Sequence, residues 1–212
     1  MRASDFISEG IVDVQNIQDE YNMDPKLVDI ALQIRKTCKP FLNQVPIASS
    51  MYRGMNESKL VLHKNVRLDV RVPLNSNGKL HTALNAYFNE RFGEPFRNAL
   101  FVSGDLGEAN QYGDPYFIFP EGDFNFLWSP YIEDLWTEWN SRPGRAIAAD
   151  DEEIESFINN TIVQGRYRQD NLDHAIHANR EIMIRSKSYY AIHTDILKDE
   201  ENFTGFEEIL AL

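Results

Sequence analysis

The chain predicts an α+β domain, and three observations carry that prediction. Short apolar runs of strand length, such as Tyr116-Phe117-Ile118-Phe119 and Ile182-Met183-Ile184, are bounded by turn residues. Other stretches place apolar residues at helical spacing, as Leu27, Ile30, Ala31, Ile34, Cys38 and Phe41 do. The two kinds of segment are mixed along 212 residues, 42% of them hydrophobic, which is enough for one domain with a proper core.

The first 45 residues read as helical. Asp24-Pro25 marks a helix start, with Asp as the cap and Pro at the first helical position. Phe6, Ile7, Ile11, Val14 and Ile17 suggest one or two shorter turns before it. Residues 1–48 are therefore expected to be a helical segment packed on a core formed by 49–212, as a buttress or a partner-binding surface.

From about residue 50 short strands and loops take over. Met51 to Met55, Leu60-Val61-Leu62 and the alternating Val66 to Val72 are predicted strands, and Pro73 to Gly78 a loop. A helix is expected over Thr82 to Arg91, burying Leu84, Tyr87 and Phe88 and ended by Gly93 and Pro95. Ala99 to Val102 reads as a strand and is followed by a short helix to Tyr112, closed by Gly113.

Tyr116 to Phe119 is a strand stopped by Pro120-Glu121-Gly122-Asp123, with Phe124 to Trp128 returning. Ser129-Pro130 is expected to cap a helix carrying Ile132, Leu135, Trp136 and Trp139. Another helix starts near Asp150 and buries Ile154, Phe157, Ile158 and Ile162; acidic residues favour its positive end. Gln164 to Asn179 is polar and irregular, with at most one short helix. After it comes the strand Ile182 to Ile184, then a polar turn and a second strand, Ser188 to His193.

Composition narrows the function classes. A net charge of −12 argues against broad nucleic-acid binding, although an acidic mimic of nucleic acid stays open. No apolar run reaches the roughly 18 residues of a membrane span. One cysteine, Cys38, precludes an internal disulfide or a thiolate metal cluster. With no apolar core of a signal peptide at the N-terminus, a cytoplasmic protein is expected. His174 and His177 have a spacing that some metal sites use, but a solvated loop explains them more simply, and no metal is expected.

Three segments could carry chemistry. Tyr52-Arg53-Gly54 offers a guanidinium that can fork onto phosphate oxygens, with a glycine that admits close approach of a ligand. In Leu100-Phe101-Val102-Ser103 a strand ends in a hydroxyl, and Ala109-Asn110-Gln111-Tyr112 follows. Glu181 opens an apolar strand, where rigid backbone can aim a carboxylate into a cleft. Each has a plainer reading: Arg53 in a surface ion pair, Ser103 as a turn or helix cap, Tyr112 as core, and Glu181 as a strand flank.

In this order the motifs resemble the ADP-ribosyltransferase superfamily, in the branch read as arginine, serine, glutamate. The resemblance covers about residues 50 to 195. Tyr52-Arg53-Gly54 looks like the opening arginine motif, and Phe101-Val102-Ser103 with Ala109 to Tyr112 is similar to the Ser-x-Ser strand and its helix. Glu181-Ile182-Met183-Ile184 resembles the catalytic glutamate strand. The family's usual Ser-Thr-Ser is reduced here to Val102-Ser103. The second Glu or Gln of arginine-modifying members is Asn179, which puts arginine as acceptor in doubt.

The resemblance implies two packed mixed sheets around an NAD cleft, with NAD as a substrate. Glu181 would bond the ribose 2′-hydroxyl and offset positive charge developing at C1′. Arg53 would clamp phosphates, and Ser103 would hold the ribose and help position Glu181. Tyr112, together with Phe101 or Tyr116, would stack on nicotinamide, and Asn179 would orient the acceptor. The expected reaction is transfer of ADP-ribose from NAD to a macromolecule, a protein side chain first. An NAD glycohydrolase and a non-catalytic acidic binding or inhibitor protein are the alternatives.

Overall fold

The computed structural model describes residues 13–46, 49–69, 78–142 and 150–212. In chain order its elements are α1 (Pro25–Thr37), α2 (Lys39–Leu42), β1 (Tyr52–Met55), β2 (Val61–Asn65), α3 (Gly78–Phe92), β3 (Leu100–Val102), α4 (Leu106–Asn110), β4 (Asp114–Trp128), α5 (Leu135–Asn140), α6 (Asp151–Phe157), α7 (Leu172–His177), β5 (Ile182–His193) and α8 (Glu200–Ala211). A helical turn at 13–20 precedes α1. A π-turn, Ile158–Ile162, extends α6, and a 3-10 turn, Thr194–Leu197, joins β5 to α8. The architecture is α+β.

β4 and β5 organise the molecule. They pair antiparallel from Tyr116↔His193 to Trp128↔Ile182, with a register shift between Glu121 and Phe124. β1 adds to the outer edge of β4, while β2 and β3 share the far edge of β5, β3 beside its first residues and β2 beside its last. Every pairing among the described strands is antiparallel and falls in one five-stranded sheet. That differs from the two mixed sheets implied by the resemblance, because β4 and β5 run through both halves and join them.

Two expected hairpins are in fact these two long strands. Gly122, at φ +68°, with Asp123 forms a bulge rather than a turn, so Phe124 to Trp128 continues forward along the same partner. Arg185 to Lys187 likewise stays within β5, and Ser186 and Ser188 are buried there. No strand covers 66–69: the ladder beyond β2 ends at Val66 N–H to Lys187 O, 3.1 Å. The remainder of that expected strand, Val70 to Val72, lies outside the described residues, as do Phe6, Ile7, Ile11 and 73–77 of the expected loop.

The sheet separates three cores. On one face Met51, Met55, Ile118, Trp128, Ile182, Ile184 and Ala191 pack with α7. The other face is divided by position along β4 and β5. Phe117 and Ile192 meet α1 and α8, whereas Leu127 and Met183 meet α3, α5, α6 and the π-turn. Fully burying a side chain such as Phe88 or Phe157 contributes about 2–3 kcal/mol.

The helix starts follow local chemistry. The Asp24 carboxylate accepts from Lys26 N–H at 2.8 Å and Pro25 opens α1, as the sequence predicts. Asp150 and Glu153 form a reciprocal capping box at α6. α3 begins at Gly78, earlier than expected, and Gly93 at φ +80° follows its end. Ser129 does not cap α5. Its hydroxyl accepts from Tyr131 and Ile132 N–H in a preceding turn, and Asp134 caps the helix through Thr137 N–H.

Candidate functional site

Glu181 stands immediately before β5, its N–H bonded to Glu133 O at 2.8 Å. The strand head is thus tied to the loop that leads into α5. Its carboxylate Oε1 lies 3.1 Å from Arg97 Nη1, and both side chains are nearly buried, 13% and 12% exposed. Arg97 comes from the loop between α3 and β3. Its backbone N–H donates to Asn85 Oδ1 at 2.8 Å, and its guanidinium sits 4.5 Å over the Phe101 ring and 3.8 Å from Met183 Sδ. Phe101 and Met183 are direct cross-strand partners, so the arginine is seated on the β3–β5 ladder beside the glutamate.

Arg53 reaches the same strand from the other side. β1 and β3 touch through an isolated bridge, Tyr52 N–H to Ser103 O at 2.7 Å and Ser103 N–H to Tyr52 O at 3.0 Å. Arg53 Nη1 donates to the Phe101 carbonyl at 2.7 Å. Burial lowers the guanidinium pKa from its ordinary value, with Arg67 adding to the lowering and Tyr189 opposing it. Among the described residues no carboxylate pairs with Arg53 or Arg67. Phe101 is the shared element of the site, with its carbonyl on Arg53 and its ring under Arg97.

Two tyrosines feel the charge of Glu181. The Tyr112 ring is 56% exposed, on the turn after α4. Burial of its hydroxyl raises its pKa, and Asp134, Glu108 and Glu181 add to the rise. Tyr167, from the loop before α7, is held well above the ordinary value by burial and then by Glu181, with Arg97 acting against them. Its ring meets Phe88 edge-on at 5.0 Å. Glu108 is also raised by burial; the Ser103 hydroxyl lowers it, and Asp134, Asp105 and Glu133 push it up. A carboxylate and an arginine therefore meet at the head of β5, and the carboxylate adds to the raised pKa of both phenols.

The other expected site residues fall differently. Ser103 follows Val102, the last β3 residue paired with β5, and its own backbone bonds Tyr52 instead. Its hydroxyl accepts from Asp105 N–H at 3.2 Å, which is the turn-cap reading. Gly54 does not leave room for a ligand on its Cβ side, because the Ala109 carbonyl and the Tyr112–Gly113 backbone fill that space. Tyr116 is fully buried, donates to Lys59 O at 2.8 Å and packs edge-on to His193, so it is core and not a nicotinamide stack. Phe101 already carries Arg97 on its ring. Asn179 is exposed at φ +53° just past α7, a left-handed helix end that asparagine tolerates.

His174 packs edge-on to Trp128 at 5.5 Å, and His177 Nδ1 lies 3.3 Å from Asp173 Oδ1. Among the described residues no group of three or more potential ligands is placed to hold a metal, and no helix is long and apolar enough to cross a membrane.

Arg97 and Tyr167 were not expected from the sequence. Arg97 lies 84 positions before Glu181, and the one local hint is a charge between the apolar Phe96 and Ala99. No family model, curated protein or solved structure was found to match this chain.

Proposed function

We propose that this protein transfers ADP-ribose from NAD to a macromolecular acceptor, expected to be a protein side chain, with release of nicotinamide. The observation that carries this reading is a partly buried arginine with no carboxylate partner among the described residues, linked through Phe101 and then Arg97 to a glutamate at a strand head. Such a guanidinium suits the pyrophosphate of a dinucleotide, and Arg67 adds a second positive charge near it. A carboxylate fixed by backbone and ion pair suits a positive charge that appears in the transition state.

In this reading the bond from ribose C1′ to the nicotinamide nitrogen breaks, and its electron pair leaves with nicotinamide as the neutral ring. Glu181 bonds the ribose 2′-hydroxyl and offsets the oxocarbenium charge. The acceptor nucleophile then bonds C1′ and releases its proton to solvent. Arg53 holds phosphate, and Tyr112 forms the exposed aromatic wall. With water as acceptor the same steps make a glycohydrolase.

The Arg97–Glu181 ion pair favours a second reading, a structural carboxylate in a non-catalytic binding protein. Incubation with biotinylated NAD and a cell lysate separates the readings. Transfer labels a protein band with wild type and not with Glu181→Gln. Nicotinamide release without any band means hydrolysis. Neither release nor label, with wild type folded, favours the binding protein.

A further inference from the structure

We propose that Arg97 is the positioning residue of this site, setting the direction in which Glu181 presents its carboxylate; the inference rests on the ADP-ribosyl-transfer reading. A glutamate at a strand head has a fixed backbone but three free side-chain torsions, and a catalytic carboxylate has to be held to about half an ångström. Backbone order alone, here the Glu181 N–H to Glu133 O bond, does not hold it. The 3.1 Å contact from Arg97 adds a restraint on the carboxylate itself.

Arg97 can serve as a reference point because it is itself fixed from three sides. Asn85 of α3 holds its backbone N–H, the Phe101 ring lies under its guanidinium, and Met183 sulfur borders it. Those contacts come from α3, β3 and β5, so the position of the carboxylate is referred to the rigid sheet rather than to a loop. The planar guanidinium supplies both the stack on Phe101 and the charge toward Glu181, whereas lysine supplies only the charge. Phosphate binding is assigned to Arg53, beyond the Phe101 backbone. Loss of Arg97 should therefore act on the transition state and leave NAD binding largely intact.

The test is steady-state nicotinamide release from NAD, with a cleared cell lysate as acceptor, for wild type, Glu181→Gln, Arg97→Met, Arg97→Lys and Phe101→Leu. Arg97→Met should lower kcat about 10- to 100-fold with KM for NAD within about 3-fold. Arg97→Lys, which keeps the charge without the stack, should recover only part of that loss and stay about 3- to 10-fold below wild type. Phe101→Leu, which keeps the charge but removes its seat, should lower kcat about 3- to 10-fold. If Arg97→Met does not fold, the Arg97→Lys and Phe101→Leu results carry the decision, since unchanged kcat in both overturns the proposal. An active wild type, an inactive Glu181→Gln and a wild-type kcat in folded Arg97→Met would overturn the positioning role alone. A folded wild type at the background of Glu181→Gln would overturn the transfer reading and this role with it.

Discussion

Gly54→Ala tests whether the glycine behind Arg53 serves the fold or a ligand. A methyl group at this position would lie well inside 3.0 Å of the Ala109 carbonyl oxygen, 2.9 Å from Tyr112 C and 3.0 Å from Gly113 N. All three neighbours are backbone, and Ala109 O already accepts from Tyr112 N–H at 3.0 Å, so the turn moves as a unit or not at all. Overpacking of this kind costs about 1–3 kcal/mol, and disturbing that hydrogen bond adds about 1 kcal/mol. We expect Gly54→Ala to lose about 3 kcal/mol. At a urea slope of about 2 kcal/mol/M this moves the midpoint down by about 1.5 M, read by tryptophan fluorescence. Gly78→Ala is the control, because no described residue lies within 4 Å of an added Cβ there. It should be neutral or stabilising by up to about 1 kcal/mol. A Gly54→Ala midpoint within 0.3 M of wild type, a tolerance of about 0.6 kcal/mol at that slope, would refute the packing argument and return Gly54 to a ligand role.

The remaining predictions concern Tyr116 and Cys38. Tyr116→Phe deletes the hydroxyl that donates to Lys59 O, and should cost about 1 kcal/mol in urea unfolding while nicotinamide release stays within about 2-fold. A specific loss of NAD affinity would restore its sequence-expected role. Cys38 is fully buried and burial pushes its thiol from 9.0 up to about 12, so it should resist a thiol reagent at pH 8 in the folded protein and react on unfolding. Because the folded pKa is the higher one, this contribution to stability is intact below pH 9 and is lost as pH rises from 9 toward 12. The loss due to Cys38 should be on the order of 1 kcal/mol by pH 10 and absent in Cys38→Ala. Equal pH dependence in both proteins would remove Cys38 as its source.

What was legible in the sequence was local. Asp24-Pro25 and the spacing from Leu27 to Ile34 specify α1 because a cap and a 3.6-residue period lie within one short segment. α8 was not expected from the sequence, although Phe206, Ile209 and Leu210 carry the same period behind Asp199 and bury against α1. Gly122 and the polar Arg185 to Lys187 look alike as turn or bulge. What decides between them is that β4 and β5 are each other's partners over their whole length, a non-local fact. The site divides in the same way. Glu181 at a strand head and Arg53 on a short strand are readable from neighbours in sequence. Arg97 and Tyr167 are not, because sheet pairing and helix packing alone bring them to Glu181. Gly54 and Tyr116 read as ligand contacts in the sequence because a sequence does not distinguish space left for a substrate from space taken by the chain itself.

The most direct test of ADP-ribosyl transfer is the rate of nicotinamide release from NAD by wild type and by Glu181→Gln, with and without lysate. Removing one electrostatic group of this kind costs about 10²–10³ in rate. The account predicts lysate-stimulated release by wild type and a loss of at least that size in folded Glu181→Gln. Equal background release by both proteins in every condition would contradict it and make the Arg97–Glu181 pair a structural ion pair.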